Sequence, residues 1–221
     1  MEAVKCQING SDFIGAFATC TGKFVFVAEG VTERARALLK STLKAECFGM
    51  TIYGTDLVGI FMRGNSNGIA ISNVASDYEI GKIKELGLDL NVGVITSDIN
   101  AVGNNVIVND KIAIINPEYR DADVAQFEDI FGVEVVRKRI GNFNTVGANN
   151  ILTNSGIVIN NHATDEDKEG LDRITGFESV RTTANTGALS IGLSTISNSA
   201  GVVAGSDTTG YELSRIMNAL S

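Results

Sequence analysis

The chain has 221 residues, with 18 basic against 26 acidic side chains and a net charge of −8 at neutral pH. That balance opposes a bare phosphate backbone, so neither DNA binding nor non-specific RNA binding is expected. No apolar run is long enough to span a membrane and the N-terminus has no signal-peptide pattern, which places the protein in the cytoplasm as an expectation. Cys6, Cys20 and Cys47 are odd in number and form no Cys-x-x-Cys pair. They read as small buried hydrophobes under reducing conditions, and neither a metal nor a cofactor is expected.

In chain order, Ala3 to Ile8 reads first as a strand. Five units follow, approximately residues 9–52, 53–96, 97–140, 141–185 and 186–221. Each opens on a short cluster ending in glycine: Gly15, Gly59, Gly103, Gly147 and Gly192, at intervals of 44, 44, 44 and 45 residues. A period of this size marks a repeat architecture in which one unit cannot bury its apolar face alone. A polar turn comes next in every unit: Thr21-Gly22-Lys23, Asn65 to Gly68, Asn109-Asp110-Lys111, Asn154-Ser155-Gly156 and Asn198 to Gly201. Gly and Asn accept positive φ, so these are read as hairpin turns. The mostly β-branched runs after them, such as Ile69 to Ile71 and Ile112 to Ile115, read as strands buried on both faces.

Seventeen residues after each glycine a helix is expected to start, at Thr32, Ser76, Arg120, Thr164 and Thr209. Four of these are hydroxyl residues suited to N-caps; in the third unit Asp121 is expected to supply the cap instead. Ser76 with Glu79 and Thr209 with Glu212 fit the capping box, and Thr164 with Asp167 is a shorter variant. Leu39, Ile83, Phe127, Leu171 and Ile216 form one apolar column, the helix face turned to the sheet. A further strand is expected after each of the first four helices, and the N-terminal strand stands in for the missing fifth. Five ββαβ repeats should therefore form a closed ring, a five-bladed α/β propeller with strands inside and helices outside, whose closure removes exposed sheet edges. The unbroken repeat argues for a single domain.

With the glycine-headed units in this order, Asp207-Thr208-Thr209-Gly210-Tyr211-Glu212-Leu213 together with Ala101-Val102-Gly103-Asn104 resembles the translation initiation factor 6 family in its short, archaeal-type form. The resemblance spans essentially the whole chain. It implies the pentein ring and a non-enzymatic, monomeric anti-association factor. Such a factor binds the intersubunit face of the large ribosomal subunit, mainly through ribosomal proteins beside the sarcin–ricin loop and with limited rRNA contact. It blocks the small subunit by occupancy and accompanies large-subunit maturation. In the family, the positions just after the repeat glycines cluster at one mouth of the ring. Carried over, the ribosome-binding positions are Ile60 and Asn104, with Ala16, Ala148 and Leu193 as their equivalents. Ile60 stands where the family often has a polar or basic residue, which favours an apolar contact there. Family members often carry a His-Pro pair after the second strand of units three and four; here those places read Asn116-Pro117 and Asn161-His162. The plain reading of the glycines is tight packing at the start of strands.

Two other readings are weighed. The same ring hosts guanidine-modifying hydrolases and amidinotransferases, which need a thiolate paired with a histidine. Here every cysteine precedes residue 48 and His162 is the sole histidine, so only a pair such as Cys20 and His162, from different blades, is available. The second alternative is a ring-shaped scaffold for another protein. Arg137-Lys138-Arg139, the one basic cluster, reads as a solvated strand end or as a local contact for RNA or an acidic surface.

Overall fold

A computed structural model describes residues 1–221. The chain begins with β1 (Glu2–Cys6), a 3-10 turn at Ile14–Ala16, the hairpin β2 (Ala18–Cys20) and β3 (Phe24–Ala28), then α1 (Glu33–Leu43) and β4 (Glu46–Met50). The second unit is α2 (Val58–Phe61), β5 (Met62–Gly64), β6 (Gly68–Ser72), α3 (Asp77–Glu85) and β7 (Asn91–Ile95). The third is α4 (Val102–Asn105), β8 (Val106–Val108), β9 (Ile112–Ile115), α5 (Asp121–Phe131) and β10 (Glu134–Arg137). The fourth is α6 (Val146–Asn149), β11 (Ile151–Leu152), β12 (Ile157–Asn160), α7 (Asp165–Thr175) and β13 (Val180–Thr182). The last is α8 (Ile191–Ser194), β14 (Thr195–Ser197), β15 (Gly201–Gly205) and α9 (Gly210–Leu220).

Five three-stranded sheets result. In each, an antiparallel hairpin is extended by a strand that returns parallel through the long helix, as in β5–β6–β7. In the fifth sheet the parallel strand is β1, with Glu2 opposite Gly201 and Cys6 opposite Gly205, so the chain's two ends share a blade.

The middle strands are buried, apart from Phe24 at the start of β3, because each lies between two partner strands. On β3, Val25 and Val27 pack under Leu39 of α1, while Phe26 faces the other way and joins Ile69, Ile71 and Ile83 of the next unit. The same division recurs around the molecule, and it closes: Ile196 and Val203 of the last unit lie in the cluster of Leu39 and Leu43. Each of the five helix residues of the apolar column is at most 2% exposed. Burying one such side chain contributes about 2 kcal/mol.

All five repeat glycines lie inside one-turn helices, before the strand and not within it. The N–H groups of such a turn point back along the chain, and with only one turn the helix axis can lie nearly flat against its neighbour. A Cβ on Gly59 would collide with the carbonyl oxygen of Gly15, one on Gly103 with that of Gly59, one on Gly147 with that of Gly103, one on Gly192 with that of Gly147, and one on Gly15 with that of Gly192. The contacts return to their start, so the ring is closed at this end by backbone against backbone. Only glycine permits that approach.

At the opposite end the hairpin turns are knitted by side chains. Asn65 Oδ1 accepts the N–H groups of Asn67 and Gly68, and its Nδ2 reaches across to the carbonyl of Asn109 at 3.1 Å. Asn109 repeats this to Thr153 at 3.0 Å, and Asn198 donates to Leu43 at 2.8 Å. In the fourth unit the capping side chain is Thr153, whose hydroxyl accepts from Ser155 and Gly156; the turn thus begins one residue earlier than the sequence pattern indicated, and Asn154 is free to bind Asp110. A threonine caps its own turn but has no NH2 to carry the stitch onward.

Two further expectations are corrected. Asp121 does not cap α5; it is the first helical residue, exposed, and pairs with Arg137 at 2.6 Å. Asp123 accepts the free Arg120 N–H at 2.9 Å instead, because a carboxylate three residues in reaches back over the first turn. Nor does closure abolish sheet edges, since the five sheets stay separate and each keeps two. The inner edges are strands of two or three residues, too short to template further pairing.

Gly103→Ala should cost about 3 kcal/mol or more, since neither its Cβ nor the opposing carbonyl has room to move. Urea unfolding should show a lower midpoint with an unchanged slope.

Candidate docking face at the glycine end

The glycine end is shaped by carboxylates. Glu79, on the first turn of α3, accepts from Gly54 N at 2.9 Å, Tyr53 N and Thr51 Oγ1 at 3.1 Å, and Ser76 N at 2.9 Å. One buried side chain therefore caps a helix and pins the turn that precedes its unit. Tyr53 and Gly54 both adopt positive φ there, 55° and 64°, a conformation that a tyrosine holds only when its surroundings impose it. Glu212 does the same for Thr209, Thr183, Thr186 and Gly187. Burial alone would raise the Glu212 pKa, but hydrogen bonds led by Thr183 outweigh it and hold the carboxyl at about 2. Asp123 holds Ser97 and Asp167 holds Gly141. In the first unit Ala35 occupies this place and no carboxylate is present; its turn is tied sideways, Asn9 Nδ2 donating to Asp56 at 3.0 Å.

Within this frame Ala16, Ile60, Asn104, Ala148 and Leu193 each take the third position of a one-turn helix. The glycine contacts draw them together around the axis: a Cβ on Gly147 would lie 3.0 Å from the Asn104 carbonyl carbon, and one on Gly15 the same distance from Leu193 O. Ala16, Ile60, Asn104 and Leu193 are half-buried, whereas Ala148 is only 7% exposed and has little to offer a partner. Asn104 carries a buried Oδ1 with no hydrogen-bond partner.

Sequence reasoning missed the rim. Of eight exposed large hydrophobic residues, Phe13, Leu57, Tyr53, Tyr78 and Tyr211 stand at this end. Phe13 and Leu57 directly precede the one-turn helices. Tyr53 and Tyr78 flank an open groove of about 450 Å³ floored by Val74 and Glu79. The available signal was that Tyr78 and Tyr211 lie at the start of their helices, off the apolar column, where an aromatic side chain has no core to enter.

Cys20 lies along the ring axis, where burial pushes its thiol up to about 12, and its Sγ contacts Thr21 O. His162 is exposed and stacks on Phe143 at 5.8 Å. The two do not hydrogen-bond, so the thiolate–imidazole pair that guanidine chemistry needs is not assembled. In the basic cluster, Arg137 pairs with Asp121 and Arg139 is exposed, which fits a solvated strand end.

Five repeated blades around an axis define an α/β propeller of the pentein type. The chain belongs to the eIF-6 family of translation initiation factors, whose sequence profile matches residues 3–219. It is 41% identical to translation initiation factor 6 of Thermococcus gammatolerans over 224 aligned positions, covering 100% of this chain and 98% of that one. Against the Methanococcoides burtonii protein of the same name it is 38% identical over 97% of this chain and 96% of the other. The Thermococcus onnurineus protein is 33% identical, with 100% and 98% covered. Among solved structures, a dimethylarginine dimethylaminohydrolase adduct with S-methyl-L-thiocitrulline superposes with a TM-score of 0.47 at 14% identity, covering 77% of this chain and 68% of that one.

The lowered Glu212 pKa has a definite sign. Its stabilising effect is complete above the unfolded value near 4.5 and fades as pH falls towards 2. Glu212→Gln should be less stable than the parent by about 2 kcal/mol at pH 7, and the gap should shrink steadily in thermal melts taken from pH 5 down to pH 2.

Proposed function

We propose that this protein docks its glycine end on the intersubunit face of the large ribosomal subunit and prevents the small subunit from joining by occupying that surface. Membership of the eIF-6 family carries the reading, and the gathering of exposed aromatic and aliphatic side chains at one end supports that end as the surface used. Exposed apolar and aromatic side chains grouped on one surface are what a protein partner selects. With a net charge of −8 the favoured contacts are basic ribosomal proteins beside the sarcin–ricin loop, with little rRNA. The protein acts as a cytoplasmic monomer and also accompanies maturation of the large subunit.

The mechanism needs binding alone. A ring locked by backbone contacts loses little conformational entropy on docking, so a modest interface reaches useful affinity. Ile60, Asn104, Ala16 and Leu193 form the centre of the contact, with Phe13, Leu57 and Tyr53 around them.

Sedimentation with separated subunits should show co-migration with the large subunit only, and subunit-joining assays should show fewer joined ribosomes. Absence of co-migration at low salt would leave the propeller without this function. Asn104→Arg and Tyr53→Ala should each weaken large-subunit binding about tenfold or more, equivalent to about 1.4 kcal/mol, with unchanged circular dichroism. Parental affinity in both variants would move the contact off the glycine end.

A further inference from the structure

The axis of the propeller is not filled with side chains. At the turn end a cavity of about 330 Å³ opens between the five hairpin tips. It continues into an inner chamber of about 40 Å³, and Cys20, Gly64, Val108, Leu152 and Ser197 line both. The chamber wall is otherwise made of aliphatic residues, glycines, small hydroxyls, Cys20 and Asn150, and no Asp or Glu contributes to it. One charged side chain does. Arg63 is the middle residue of β5; Met62 before it enters the core, so alternation along the strand turns Arg63 to the axis.

Its guanidinium has a single protein partner, the Gly103 carbonyl, at 2.7 Å from Nη2. The Nε–H is buried and has none, and the hydroxyl of Thr19, on the same chamber wall, is also buried and unpartnered. Arg63 takes part in no ion pair. Burial lowers its pKa only to about 10, so it is charged at neutral pH. Arg63 is half-buried and carries its charge into the chamber without a counter-charge, and an N–H and an O–H left buried and unpaired add to the cost.

We propose that the inner chamber is a binding site for a small inorganic monoanion of chloride size, held by the Arg63 guanidinium. The dimensions select the class. At roughly 10–15 Å³ per water on this measure, the chamber admits about three waters or one such ion, and a phosphate ester or nucleotide is too large. The approach is favourable, with Lys23 and Lys44 at the outer cavity. The one acid there, Asp110, is engaged by Ser66 N and Oγ at 2.8 Å and by Asn154 Nδ2 at 2.6 Å. The chamber opens towards the turn end and lies beneath the glycine end, where Arg63 bonds the Gly103 carbonyl and Gly192 lines the wall.

The test is ³⁵Cl NMR on the purified full-length protein. The parent should broaden the chloride line, added bromide should compete the broadening away, Arg63→Met should lose it, and Arg63→Lys should retain part of it. Circular dichroism and gel filtration confirm that each variant is folded. Crystals grown in sodium bromide should show anomalous density beside the Arg63 guanidinium. Equal broadening by the parent and Arg63→Met, or a chamber holding only water in the bromide crystals, would overturn the proposal.

Discussion

The structure depends on how closely five pieces of backbone approach one another around the axis. A Cβ on any repeat glycine would meet the carbonyl oxygen of the preceding one, which a side chain cannot tolerate. That spacing sets the tilt of each blade and leaves the inner strands room for only two or three residues. It also places the third residue of every one-turn helix beside its neighbours. The candidate docking centre is therefore a by-product of ring closure: what closes the ring gathers the surface.

The two ends solve different problems. At the glycine end the backbone is too close for side chains, and the rim is organised from outside by carboxylates that join a helix cap to a turn. Glu79, Asp123 and Glu212 are held below the usual carboxylate range because N–H and O–H donors outweigh the burial that would raise them. At the turn end the blades diverge, and asparagine is long enough to cap its own hairpin and still bridge the gap. Between the two ends the interior cannot be filled evenly, since strands radiating from an axis leave a wedge that small residues do not occupy. The axial chamber lies in that wedge.

Much of this was legible in the sequence because a 44-residue period repeats every local signal five times. The caps at Thr32, Ser76, Thr164 and Thr209, the apolar column from Leu39 to Ile216 and the substitution of the N-terminal strand all stand where the pattern put them. The failures share one cause. The glycines read as strand starts because a helix of a single turn has no periodicity to detect. Asp121 was taken for a cap because a side chain's reach back over the turn, as at Asp123, is geometry and not composition. Tyr53, Tyr78 and Arg63 escaped notice because whether a lone aromatic or basic residue faces core, rim or axis is fixed only once the blades are assembled.

The shared fifth blade has a consequence for how the chain reaches its native state. Four sheets are built from neighbouring sequence, but the fifth joins β1 to β15, where Lys5 also binds the Ser206 carbonyl 201 residues further along. Contacts so distant in sequence are the slowest to form, because loop closure must precede any gain from pairing. Until β15 is available, the first unit exposes Leu39, Leu43 and Val25 where Val203 and Ile196 will later cover them. Latching the first strand onto the last unit is the event that makes four and a half sequential modules into one cooperative object.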